Sequence, residues 1–98
     1  MENFQEIISG DVPVLVDFFA TWSGPCKMMH PVIDQLHDKL GDKARILKVD
    51  IDKNRELAAQ YHVRSVPTLL IFKNGELKFR TVGAQPAAAP EAEIEKYY

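Results

Sequence analysis

A nearly unbroken apolar run early in the chain, Val14–Phe19, constrains the fold more than any other feature, and only Asp17 interrupts it. A strand with one face in water alternates apolar and polar residues, whereas a strand covered on both faces is apolar throughout. The run therefore predicts a central strand with helices packed on both sides of its sheet. It is far too short to cross a bilayer.

Helical and strand patterns alternate along the rest of the chain. In the helix that follows the apolar run, apolar residues recur every three or four positions from Cys26 to Leu40, and Gly41 is expected to end it. Pro31 lies inside this helix and is expected to kink it, because proline removes one backbone hydrogen bond. Asn54 is expected to cap a later helix with its side chain.

The complete order of predicted elements is α-β-α-β-α-β-β-α. The Asn74-Gly75 pair between the last two strands is a strong hairpin signal. The order predicts an α/β fold with a four-stranded mixed sheet flanked by helices on both faces. A right-handed parallel crossover should connect the first two strands, and the hairpin should add an antiparallel pair. The predicted bounds are helix 4–8, strand 14–19, helix 26–40, strand 45–50, a helix after residue 54, strands 68–72 and 76–82, and a helix after residue 90.

Composition narrows the class of protein. The chain of 98 residues is expected to be one domain, 1–98, and its 46% apolar and 27% charged residues are typical of a globular protein. A net charge of -2 without a basic cluster favours neither nucleic acid nor an anionic membrane as a partner.

The start at Met1-Glu2-Asn3 lacks the pattern of a signal peptide, and a single cysteine suits a reducing compartment, so the cytoplasm is the expected location.

The segment Trp22–Lys27 reads Trp-Ser-Gly-Pro-Cys-Lys, which is the layout of a thiol–disulfide redox motif with Ser23 in place of the first cysteine. Such a motif needs two sulfurs. One thiolate attacks a substrate disulfide, and the second then attacks the mixed disulfide to release the product. Because Cys26 is the only cysteine, this chain is predicted to be unable to complete the cycle.

Ser23 lies where the first strand gives way to the long helix. A cysteine there would have its pKa lowered by the helix N-terminus, but a serine hydroxyl stays protonated unless a base is nearby. The motif supplies no histidine for that purpose. Ser23 is therefore interpreted as a helix N-cap, or as a replaced nucleophile, and not as a hydrolytic residue. Cys26 begins the apolar face of the helix and is expected to be buried.

Asp17 is an unusual residue for an apolar strand. Burying an unpaired carboxylate is costly, so either its pKa rises or it finds a partner. Lys48 on the neighbouring strand is the natural charge partner, although it could also face solvent. A buried acid near a redox motif suggests a proton acceptor, and the alternative is a structural acid whose hydrogen bonds are satisfied.

The three histidines do not predict a metal site. His30 and His37 are seven residues apart on one helix, about 10.5 Å along its axis, which is too far to share an ion, and His62 falls in a loop. No glycine motif for phosphate is present.

Taken together, these segments resemble the thioredoxin family over roughly residues 4 to 85. The resemblance implies a thioredoxin-like fold whose usual first strand is missing. It also makes the Pro-Ala-rich segment 85–90 atypical. The matching segments are Val14–Trp22, Gly24–Lys27, Lys48–Asp52, Val66–Gly75 and Val82–Gly83.

The resemblance implies roles for individual residues. Ser23 takes the position of the nucleophilic cysteine, Cys26 that of the resolving cysteine, and Asp17 that of the proton acceptor, with Lys48 as its charge partner. Pro67 is expected to be cis and to face the motif, so that the backbone of the preceding residue pairs with an extended substrate by strand addition. The implied substrate-binding residues are Trp22, Gly24, Pro25, Val66, Pro67 and Gly83, whereas Phe19 is expected to belong to the core.

The activity implied is that of a protein-disulfide reductase with no bound cofactor, acting on disulfide-containing proteins and reduced by an NADPH-linked thioredoxin reductase. A monomer is expected. Two hypotheses fit Ser23: a reductase silenced by a Cys-to-Ser replacement, or a natural non-catalytic peptide-binding module. A monothiol enzyme or an iron–sulfur carrier fits poorly, because both need the exposed first cysteine.

Overall fold

The structure is a computed structural model that describes residues 3–98, so the expectation about the first two residues lies outside it. A short 3₁₀ turn at Gly41–Lys43 separates the long helix from the second strand. The helices and strands are α1 Phe4–Ile8, β1 Val14–Phe19, α2 Gly24–Leu40, β2 Arg45–Asp50, α3 Arg55–Gln60, β3 Thr68–Lys73, β4 Glu76–Val82 and α4 Ala88–Glu95.

The four strands form one mixed sheet in the order β2-β1-β3-β4. β1 is parallel to β2 and antiparallel to β3, and β3 is antiparallel to β4. With a neighbour on each side, β1 is a central strand, which confirms the prediction from its apolar run. Within residues 3–98 no strand precedes β1.

The alternation of side chains along β1 divides the core into two halves. Val14, Val16 and Phe18 pack in one cluster with residues of α1 and α3. Leu15 packs in the other cluster, which α2 and α4 complete. Because successive side chains of a strand point to opposite faces, Asp17 lies on the same face as Leu15, beneath α2.

α2 carries its apolar stripe against that face. Cys26, Met29, Ile33, Leu36 and Leu40 are all buried, as the helical spacing predicts. Gly41 follows as the C-cap with a φ of 53°, a conformation that favours glycine. The helix is continuous through Pro31, and the kink remains a prediction. None of the helices in the described part of the chain is long and apolar enough to cross a membrane.

The structure places three features differently from the prediction made from the sequence. Asn54 occupies the N-cap of α3, but its amide donates to the Asp50 carbonyl at 3.0 Å and does not cap the helix. α4 begins at Ala88 and so includes Pro90, which was expected to precede the helix. A proline is tolerated there because the first backbone N–H groups of a helix have no intrahelical partner to lose. Phe19, expected in the core, is only half-buried.

The hairpin between β3 and β4 has the predicted turn. Asn74 and Gly75 have φ values of 54° and 80°, both positive as a type I′ turn requires. A methyl group added at Gly75 would meet nothing closer than the Ser9 hydroxyl oxygen at 3.8 Å. The requirement for glycine at this position is therefore one of backbone conformation and not of space.

Gly75→Ala should consequently destabilise the protein by about 1–2 kcal/mol, the cost of placing an L-residue in the left-handed region. Gly10→Ala is the matched control, because its φ is not positive and the nearest atom to an added methyl group is 3.9 Å away. The control should be neutral or stabilising by up to about 1 kcal/mol. Urea unfolding measures both variants, and equal losses would contradict the conformational explanation.

Candidate active site

The site lies at the edge of the sheet where β1 ends and α2 begins. Strand register brings three other segments to the same edge: Phe19 pairs with Asp50, and Phe18 pairs with Thr68, whose other partner is Val82. The loops that follow β1, β2 and β4 and the loop that precedes β3 therefore meet around the first turn of α2.

Ser23 caps α2. Its backbone is extended, with φ -87° and ψ 121°, and its hydroxyl oxygen accepts the N–H of Cys26 at 3.3 Å. This geometry satisfies one of the free donors of the first turn. Ser23 is buried, with 5% of its surface exposed. The N-cap interpretation is confirmed, and the hydroxyl has no base among its hydrogen-bond partners in residues 3–98.

Cys26 lies one turn further along α2 and is 1% exposed. Its thiol is free and is the only one in the chain. A thiol this deeply buried cannot approach a disulfide in another protein, but it can react with a group held at position 23, three residues earlier on the same helix. The structure therefore fits Cys26 to resolve a mixed disulfide and not to form one.

Asp17 is buried beneath α2 with 1% of its surface exposed, and its Oδ1 has no hydrogen-bond partner in the part of the chain that the structure describes. Desolvation by burial raises its pKa from 3.8 to about 6, while the charges of His30 and then Lys48 oppose the rise. A carboxyl group with this pKa changes protonation near neutral pH, as proton transfer requires.

Lys48 is not the direct partner that its position suggests. It lies beside Asp17 in the register of β1 and β2, but its ammonium group forms an ion pair with Asp34 of α2 at 3.7 Å. No ion pair joins Lys48 to Asp17 in the described structure. Lys48 acts on Asp17 only through space, and less strongly than His30.

His30 is a residue whose importance the sequence did not reveal. The sequence suggests only a comparison with metal ligands, whereas the structure places its ring edge-on to Phe19 with centroids 5.7 Å apart. Its spacing of four residues from Cys26 on one helix face was a usable signal. Residues 3–98 contain no group of three or more His, Cys, Asp or Glu side chains arranged to hold a metal ion.

The proline side of the site is held between two strands. The Val66–Pro67 peptide bond is cis, and the Pro67 carbonyl accepts the N–H of Gly83 at 2.8 Å. Gly83 has a φ of 97°, which favours glycine at this position. Pro67 is buried and Val66 half-buried, so the backbone of Val66 borders the surface of the site.

Two further contacts border the site. Trp22 is 67% exposed, and its indole N–H donates to Asp52 at 2.9 Å, which fixes the ring beside the motif. Arg80 of β4 donates to the carbonyls of Tyr61 and His62 at 2.6 and 2.7 Å, fastening the loop that leads to Val66. The role of Arg80 had no sequence signal, because both acceptors are backbone atoms.

Gly24 and Pro25 form the exposed first turn of α2.

This strand order, with a redox-type motif at the start of α2 and a cis-proline on a neighbouring loop, defines the class of thioredoxin-fold oxidoreductases. A family model described as Thioredoxin matches residues 1–96, and the chain belongs to the thioredoxin family. A thioredoxin of Porphyra purpurea is 44% identical over 93 residues, covering 95% of this chain and 87% of that protein. A thioredoxin of Rickettsia typhi is 49% identical over 80 residues, covering 82% and 76%.

Solved structures agree with this assignment. The crystal structure of a Malassezia sympodialis thioredoxin has a TM-score of 0.87 and 39% identity, covering 96% of this chain and 84% of that chain. The activity of the family is exchange between a dithiol and a protein disulfide. Its members carry no bound cofactor, and thioredoxin reductase supplies their electrons from NADPH.

The buried acid makes stability depend on pH. Because the pKa of Asp17 is about 6 in the native state and near 3.8 when unfolded, the native state binds this proton more tightly between those values. Stability from this group is therefore greatest below pH 3.8, falls as pH rises to about 6, and is constant above. The total loss is about 3 kcal/mol.

Asp17→Asn should stabilise the protein at pH 8 by up to about 3 kcal/mol and have little effect at pH 4, because the amide carries no charge to bury. Asp38→Asn is the matched control, since the side chain of Asp38 is 89% exposed. Its stability should change by less than about 0.5 kcal/mol at either pH. Urea unfolding at both pH values measures the two variants, and equal effects of Asp17→Asn at pH 4 and 8 would contradict the assignment.

Proposed function

We propose that this chain is a protein-disulfide reductase of the thioredoxin type that is redox-inactive because Ser23 replaces its nucleophilic cysteine. The observation that carries the proposal is the geometry at the start of α2. The Ser23 hydroxyl occupies the N-cap position directly before the buried thiol of Cys26. Every other element that dithiol exchange needs at this site is retained.

With a cysteine at position 23, the cycle would run in two displacements. The thiolate at position 23 attacks one sulfur of a substrate disulfide, forming a mixed disulfide and releasing the other substrate sulfur as a thiolate. The Cys26 thiol then gives its proton to the Asp17 carboxylate and attacks the sulfur at position 23. The substrate leaves as a dithiol, the protein is left as a disulfide, and two electrons have passed to the substrate.

The environment of Asp17 suits this step. Its carboxyl group has a pKa of about 6, so it is mostly ionised at pH 7 and can accept a proton. Its Oδ1 has no hydrogen-bond partner among residues 3–98. A carboxylate satisfied by other donors would be a weaker proton acceptor.

Substrate binding is assigned to the surface around the motif. An extended substrate would pair with the backbone of Val66 by strand addition, which needs a free backbone edge beside Pro67. Gly83 allows close approach on one side, and the exposed ring of Trp22 provides an apolar wall. Gly24 and Pro25 supply a flat first turn without bulky side chains.

The remaining parts of the proposal concern the setting. The partners are disulfide-containing proteins and a thioredoxin reductase, and the protein acts as a monomer in the cytoplasm. A reducing compartment suits a chain whose single thiol has no partner. Sedimentation equilibrium tests the monomer, and fractionation of source cells tests the location.

A second function is favoured by the exposure of Trp22 next to a proline loop fastened by Arg80. These features would serve a non-catalytic peptide-binding module as well as an enzyme. The two functions differ at the level of the gene, because a natural module encodes serine at codon 23. They also differ in the behaviour of the revertant described next.

Ser23→Cys should give a protein that reduces the disulfides of insulin with dithiothreitol as the electron donor, whereas the chain with Ser23 should not accelerate this reaction. Turbidity from precipitating insulin B chain measures the rate. The double variant Ser23→Cys with Cys26→Ser is the matched control and should fall to the uncatalysed rate, because it can form a mixed disulfide but cannot resolve it. A folded but inactive Ser23→Cys protein would support the peptide-binding module.

A further inference from the structure

We propose that His30 is a positioning residue for Asp17, and that the two form an electrostatic pair under α2 in which the charge of the imidazole sets how firmly the buried carboxyl group holds its proton. The inference rests on the proposed function only in taking the ionised carboxylate as the proton acceptor for Cys26. The pair itself is a property of the chain as it stands.

Geometry places His30 on the face of the sheet that contains Asp17. Asp17 and Phe19 are two residues apart on β1, so their side chains point to the same face about 7 Å apart. The ring of His30 contacts the ring of Phe19 with an interplanar angle of 75° and a centroid distance of 5.7 Å. The imidazole therefore lies at the end of β1, on the sheet face to which the Asp17 side chain points.

His30 also differs from Asp17 in exposure. Asp17 is buried, and its Oδ1 has no hydrogen-bond partner among the described residues, whereas His30 is half-buried. The imidazole therefore lies at the boundary with water, while its charge acts on a group that is buried away from water. An interaction in this poorly hydrated region is stronger than the same interaction at the surface.

Lys48 also acts on Asp17, but less strongly than His30 does. Lys48 comes from β2, but Asp34 of α2 holds its ammonium group at 3.7 Å and partly neutralises its field. β3 contributes Leu69 as the register neighbour, which has no charge. α2 also contributes Cys26, the thiol that the pair would serve. Burial raises the pKa of Asp17 to about 6, and His30 is the larger of the two charges that oppose this rise.

Burial and the charge of His30 act on Asp17 in opposite directions. A positive charge on the imidazole favours the ionised carboxyl group, which therefore persists to lower pH than burial alone would allow. This effect extends the acid limit of proton acceptance.

The direct test is a titration of the Asp17 carboxyl carbon by NMR in the chain with Ser23 and in two variants. His30→Gln removes the charge, so the midpoint should rise from about 6 by roughly half a pH unit or more. His30→Lys makes the charge permanent, and the midpoint should fall. A purely structural role would not move the two variants in opposite directions. His37→Gln, on the exposed side of the same helix, is the control and should leave the midpoint unchanged.

An Asp17 midpoint that is the same in both His30 variants and the parent, or that moves the same way in both, would overturn the proposal. In the Ser23→Cys background, His30→Gln should slow insulin reduction by roughly 2–3-fold at pH 5.5 and leave it unchanged at pH 8. Equal slowing at both pH values would also count against it. Opposite midpoint shifts with an inactive Ser23→Cys parent would overturn the proposed function and leave the pair established.

Discussion

The burial of β1 on both faces is the constraint on which the rest of the structure depends. A strand with α1 and α3 on one side and α2 and α4 on the other has no solvated face. Each of its side chains must therefore be apolar or lower the stability of the fold, because burying a polar group costs free energy. The redox-type motif directly follows this strand, because Ser23 lies a few residues after its end and is the N-cap of α2. Core and site are therefore built from one continuous segment.

Asp17 is the point at which this constraint and the chemistry meet. Its carboxylate is destabilised by the packing that stabilises the sheet, and its pKa of about 6 is the direct result. In the proposed function the carboxylate accepts the proton of a buried thiol and must itself be buried, which lowers stability near neutral pH. The pairing of Lys48 with Asp34 and the placement of His30 against Phe19 then determine how much of that cost is relieved.

Much of the fold was predictable, because it depends on local rules. The apolar stripe of α2, its end at Gly41 and the Asn74-Gly75 turn follow from helical period and backbone conformation. The sequence-based predictions are wrong where a partner on another element determines the contacts of a side chain. Asn54 binds the carbonyl of Asp50 instead of capping its helix. The N-cap role of Ser23 was predictable, since its acceptor and donor lie three residues apart.

The sequence by itself determined that the chain has one sulfur where dithiol exchange needs two, because Cys26 is its only cysteine. It also determined the family resemblance and the presence of an acid in an apolar strand. Only the tertiary structure decided which charges act on that acid. The effect of a charge on the carboxyl group depends on the distance between them and on how much water separates them. Both are set when α2 packs over β1, and as a result His30 lowers the pKa of Asp17 more than Lys48 does.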